Sequence, residues 1–136
     1  MNRLGLIALI ALVGLVPSAI ASETDEFTWD IDGDGKETAL TDGLLVIRYL
    51  FGFTDQALVQ DAVDASATRS TPADIKAYLD AYPAELDVDD NGINSALTDG
   101  LLIIRYLFGF SGSSLVQNAV APDGERTSAA DISVYL

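Results

Sequence analysis

Asp30, Asp32 and Asp34 stand at alternate positions and are followed at once by Gly35; Asp87, Asp89, Asn91 and Gly92 repeat the arrangement. Alternation aims three oxygen-bearing side chains at one centre, and the glycine allows the sharp turn that such a loop requires. A hard divalent cation, which takes six to eight oxygens, is the natural occupant. The main-chain carbonyls of Lys36 and Ile93 would add ligands, and Thr38 and Ser95 would contribute directly or through water. A closing acid follows at Asp42 and Asp99, each preceded by a threonine, Thr41 and Thr98. Two readings are open here. Asp42 and Asp99 close the loops as metal ligands, or Thr41 and Thr98 cap the next helix while the two acids complement its dipole. The chain has no His and no Cys, which excludes disulfides, the usual zinc sites and His-based catalytic triads.

The elements that must hold these loops come in duplicate. Shifting the chain by 57 residues aligns 30–79 with 87–136 without a gap, and 28 of the 50 positions are identical. Residues 39–53 and 96–110 differ only at Val46 versus Ile103. A tandem duplication explains this, and two such halves are expected to pack about a pseudo-two-fold axis, because each alone leaves an apolar face uncovered. Each unit, about 25–81 and 82–136, has an Asp/Gly-rich loop and then an apolar helix, 44–51 or 101–108, starting near Thr41 or Thr98. Gly52 and Gly109 stop that helix. Short amphipathic stretches follow at 57–63 and 114–120. A last helix, 71–82 or 128–136, opens on Thr71 or Ser128 with Asp74 or Asp131 three residues on, as N-cap and capping partner. Ile75, Tyr78, Leu79 and Tyr82 fall on one face of it. No segment alternates as a strand, so the expected fold is all-α.

Composition narrows the function. With 7 Lys+Arg against 21 Asp+Glu the formal charge is −14, which argues against nucleic acid and against an anionic membrane surface as partners. Residues 1–21 read as a secretory signal: Arg3, a 13-residue apolar run over 4–16, a break at Pro17 and Ser18, and Ala19-Ile20-Ala21 as cleavage site. Thirteen helical residues rise only about 20 Å, too short to span a membrane. The expected mature domain is therefore 22–136, secreted or at the cell surface. No cap or glycine follows Leu136, which leaves open whether the chain is a piece of a longer protein.

An oxygen residue at loop positions 1, 3 and 5 followed by Gly at 6 is the first half of an EF-hand calcium loop. Together with an acid and an apolar helix bearing Leu44-Leu45-x-x-Arg48-Tyr49-Leu50, or Leu101-Leu102-x-x-Arg105-Tyr106-Leu107, the duplicated unit resembles the type I dockerin repeat. The resemblance covers 30–53 and 87–110. It departs in the closing acid, one residue later than in a twelve-residue loop, and in the spacing of 57. It implies two Ca²⁺ ions, tandem EF-hand/dockerin-like loop-helix repeats, and docking to a cohesin-like protein partner, a role tied to extracellular polysaccharide degradation. The alternative is a free-standing structural calcium-binding protein of the cell envelope or matrix. An enzyme, or any small-molecule substrate, is not expected, since every candidate acid pair already serves a cation or a helix cap.

Overall fold

The computed structural model describes residues 26–136, so the expected signal segment lies outside it. Thr38 and Ser95 are extended, with φ of −126° and −122°, and each leads into a wide helical turn, Ala39–Gly43 and Ala96–Gly100. The amide of Gly43 donates to the Thr38 carbonyl at 3.1 Å, and that of Gly100 to the Ser95 carbonyl at 3.0 Å, both reaching five residues back. Such π-type turns take one more residue than an α-turn. The helical path thus begins two residues before Thr41 and Thr98, and neither threonine is an N-cap.

Among the described residues the chain is helical without strands. The helices are α1 (Leu44–Leu50), α2 (Asp55–Val59), α3 (Pro72–Ala81), α4 (Leu101–Leu107), α5 (Ser113–Val116) and α6 (Ala129–Tyr135). Gly52 and Gly109 end α1 and α4 at φ +82° and +85°. In the first, Phe53 N–H reaches the Arg48 carbonyl and Gly52 N–H that of Tyr49, a Schellman closure. The stretches expected as amphipathic helices are only one turn or little more, α2 and α5. Arg48 explains where α2 stops: its guanidinium donates to the carbonyls of Leu58 and Gln60, and Arg105 does the same to Leu115 and Gln117. The caps of the last helices are as expected, with the Thr71 hydroxyl accepting from Asp74 N–H and the Ser128 hydroxyl from Asp131 N–H, each at 3.1 Å.

The core is shared by both halves. Leu45 and Val46 of α1, Leu102 and Ile103 of α4, and Ile75, Leu79 and Ile132 from α3 and α6 are buried in one cluster. Each wide turn packs on the opposite helix: Gly43 lies against Ile104 and Leu107, and Gly100 against Ile47 and Leu50. The loops join this core through Ile31 and Val88, which are fully buried between their flanking aspartates. Burying such side chains stabilises the fold by about 2 kcal/mol each. A loop built on alternation therefore turns one set of residues inward to the core and the other to a common polar centre. Phe51, Phe53, Phe108 and Phe110, just beyond the ends of α1 and α4, remain exposed, whereas every residue of the two helices is buried or half-buried.

Candidate metal centre

The two loops bring their acids together as Asp30, Asp32 and Asp42, and as Asp87, Asp89 and Asp99, with one oxygen from each within 4.8 Å of the others. Oxygens on a sphere of about 2.4 Å around a calcium-sized ion are at most about twice that apart, so one ion can touch all three. The wide turn makes this possible. It absorbs the extra residue before the closing acid and carries Asp42 back beneath the loop. There Asp42 Oδ1 accepts from the Ile31 amide at 2.6 Å and the Asp32 amide at 3.3 Å, and Oδ2 from the Thr38 amide at 2.7 Å. Asp99 accepts in the same way from Val88, Asp89 and Ser95. Thr41 and Thr98 turn their hydroxyls to Asp42 and Asp99 and so stand beside the closing carboxylates.

Burial sets the electrostatics. Asp32, Asp42, Asp89 and Asp99 are fully buried. Desolvation pushes the Asp32 carboxyl above its ordinary range, against the lowering effect of the Asp64 amide, and the charge of Asp42 adds to the rise. Asp42 is pushed up by burial although four donors pull it down. Asp89 is raised first by burial, with Asp99 and Asp87 adding repulsion. Carboxylates held close and away from water are disfavoured as anions until a cation joins them.

One atom has no counterpart in this accounting. Asp89 Oδ2 accepts from the Ala121 amide at 2.8 Å, but Asp89 Oδ1 is buried with no hydrogen-bond partner. The Asn91 amide donates to Asp87 Oδ1 at 3.1 Å; it is near enough to Asp89 to pull that carboxyl down slightly, but it makes no hydrogen bond to Oδ1. A bare, buried carboxylate oxygen is costly to leave unsatisfied.

The remaining expected ligands are nearby, and their contacts so far are local. Asp34 Oδ1 accepts from Lys36 N–H and Asn91 Oδ1 from Ile93 N–H, which folds the turns at Gly35 and Gly92; Asp34 is not drawn into the first triad. Glu37 is exposed yet accepts from Trp29 N–H. Asp90 faces Arg126 at 3.6 Å, away from the triad.

Sequence reading did not find the connector that clasps each loop from behind. Asp64 N–H donates to Asp32 Oδ2 at 2.8 Å, as Ala121 N–H does to Asp89. Arg69 N–H donates to the Asp32 carbonyl, its Nε to that of Ile31 and its Nη2 to that of Asp30, and the guanidinium lies 4.1 Å from the Tyr78 ring centre. Arg126 repeats this on the carbonyls of Asp87, Val88 and Asp89 and on Tyr135. The signal was present: Arg69/Arg126 is the one identity between residues 64–72 and 121–129. Among the described residues, no helix is long and apolar enough to cross a membrane. No known protein family, curated protein or solved structure matches the chain.

Proposed function

We propose that this chain is a secreted, non-catalytic calcium-binding module in which two Ca²⁺ ions order tandem loop-helix units of the EF-hand and dockerin kind. The observation that carries the reading is the acidic triad that occurs twice, whose member Asp89 keeps one buried carboxylate oxygen, Oδ1, without a hydrogen-bond donor. All candidate donors are oxygens, which suits a hard cation, and loops able to add carbonyl and water ligands suit calcium's high coordination number better than magnesium's strict octahedron. In this assignment Asp30, Asp32, Asp34, Thr38, Asp42 and the Lys36 carbonyl hold one ion; Asp87, Asp89, Asn91, Ser95, Asp99 and the Ile93 carbonyl hold the other. At millimolar calcium and a Kd of about 10 μM, each ion would stabilise the fold by about 3 kcal/mol.

A calcium titration tests this. Trp29, adjoining Asp30, reports the first loop by fluorescence, and far-ultraviolet circular dichroism reports the helices. Both signals should change between excess chelator and millimolar calcium. Constancy of both overturns the reading.

The docking role rests on separate support. Arg48 and Arg105, which match the helix arginine of the dockerin pattern, are occupied in closing α2 and α5, so a cohesin-like partner would have to use other side chains. Phe51, Phe53, Phe108 and Phe110 are exposed in equivalent pairs, each pair with ring centres 6.4 Å apart. Calcium-dependent capture of a purified cohesin-type module would support docking; no capture with calcium or with chelator would favour the free-standing structural role.

A further inference from the structure

The two candidate sites are not equivalent, and one pair of exchanges places a new contact behind the second. Loop position 5 is Asp34 in the first unit and Asn91 in the second; the connector position aligned with Ser66 is Asp123. Asn91 Nδ2 donates to Asp123 Oδ1 at 3.2 Å across 32 residues of chain. Its Oδ1 accepts from Ile93 N–H at 2.9 Å. A main-chain donor on one end and a carboxylate on the other fix which way the amide faces. In the first unit the connector also carries an acid, Asp64, but its carboxylate is engaged by the amide and hydroxyl of Ser66 and does not approach Asp34. The second unit has Ala121 in place of Asp64. The first connector thus holds one acid, Asp64, and the second two, Asp123 and Glu125, of which Asp123 is the one bonded to loop position 5.

We propose, resting on the cation reading above, that Asp123 is a positioning residue that sets the character of the second site. It holds the Asn91 amide with Oδ1 toward the loop and supplies from outside the ligand shell the negative charge that Asp34 provides from within the first loop. A carboxylate at 91 would face Asp123 at hydrogen-bonding distance with no proton to share, so Asn91 and Asp123 belong together. Partners behind a ligand commonly alter metal affinity by about 10–100-fold.

The test is a double-mutant cycle in the intact chain, read separately at each site. Gly35 N–H donates to Asp30 Oδ2 and Gly92 N–H to Asp87 Oδ2, so these two amide signals in ¹H–¹⁵N spectra report the first and second loops during calcium titration against a competing chelator. D123S should weaken binding at Gly92 by about tenfold and leave Gly35 unchanged. N91D alone, despite adding a carboxylate, should not tighten the second site. N91D/D123S, which places the first unit's residues at these two positions, should bring the second site to within about threefold of the first, far above the product of the single effects. Additive effects, or a D123S site that binds as wild type, overturn the positioning role while the cation reading stands. Failure of both glycine signals to respond in the wild type overturns the cation reading and this inference with it.

Discussion

Arg69 donates from Nε to the carbonyl of Ile31 at 2.8 Å, reaching from the connector to the loop residue that lies between two aspartates. A guanidinium is thereby placed behind a candidate cation site, where it binds the outer carbonyls and leaves the carboxylates free. R69A should therefore destabilise the calcium-loaded protein by about 3 kcal/mol, through two charge-assisted hydrogen bonds and the stacking on Tyr78. R69K should recover less than half of that, because an ammonium cannot fork between two carbonyls. Urea denaturation at fixed calcium measures both.

D89N is expected to change sign with calcium. The Asn oxygen can still accept from Ala121, and its NH₂ would donate into the cluster, so the metal-free protein should gain about 1–2 kcal/mol as a buried charge is removed. With calcium the same variant should lose most of one ion's contribution, about 3 kcal/mol. Thermal denaturation of wild type and variant, each with chelator and with calcium, gives the four values; a variant destabilised under both conditions contradicts the assignment.

Gly43 and Gly100 lie against the opposite half. A Cβ at 43 would lie 3.0 Å from Ile104 Cγ1 and 3.4 Å from its Cα, and one at 100 would lie 3.1 Å from Ile47 Cγ1. Both glycines have helical φ, so alanine would gain about 1 kcal/mol of helix propensity. Overpacking, at about 1–3 kcal/mol, outweighs it. G43A and G100A should each be destabilising by about 1 kcal/mol, and G43A/I104A should cost less than the sum of its single changes. Chemical denaturation of the set decides this.

Tyr49 donates to Asp80 Oδ1 at 2.6 Å, and Lys76 pairs with the other oxygen of Asp80. Burial, and then the bond and charge of Asp80, push the Tyr49 phenol up to about 12. A raised acid stabilises the fold while it stays protonated in the folded chain. That contribution is complete below the unfolded value of about 10 and is lost as pH rises toward 12. D80N should lower the Tyr49 value and narrow this window, seen in a tyrosinate absorbance titration referenced to Y49F.

The pattern of aspartates and the 57-residue repeat made the loops, the caps at Thr71 and Ser128 and the helix stops at Gly52 and Gly109 legible, because each is a local rule with a side chain or a glycine behind it. The start of the apolar helix was misplaced because a π-type turn leaves no distinctive residue: its existence depends on Asp42 finding the amides of Ile31 and Asp32. The clasp was missed because its contacts run to backbone atoms, which carry no residue identity. Asp123, read in isolation, is one more surface acid.

By itself the sequence determined the chemistry on offer: oxygen donors only, in two copies of an acidic loop, between segments that read as helices. Tertiary structure decided which acids converge. Asp42 and Asp99 joined the triads on turns that are one residue wider than an α-turn, and Asp34 stayed outside the first. It also decided that the connector closes each loop from behind, since only a folded chain brings an amide or a guanidinium 32 to 39 residues away within 3 Å of its acceptor.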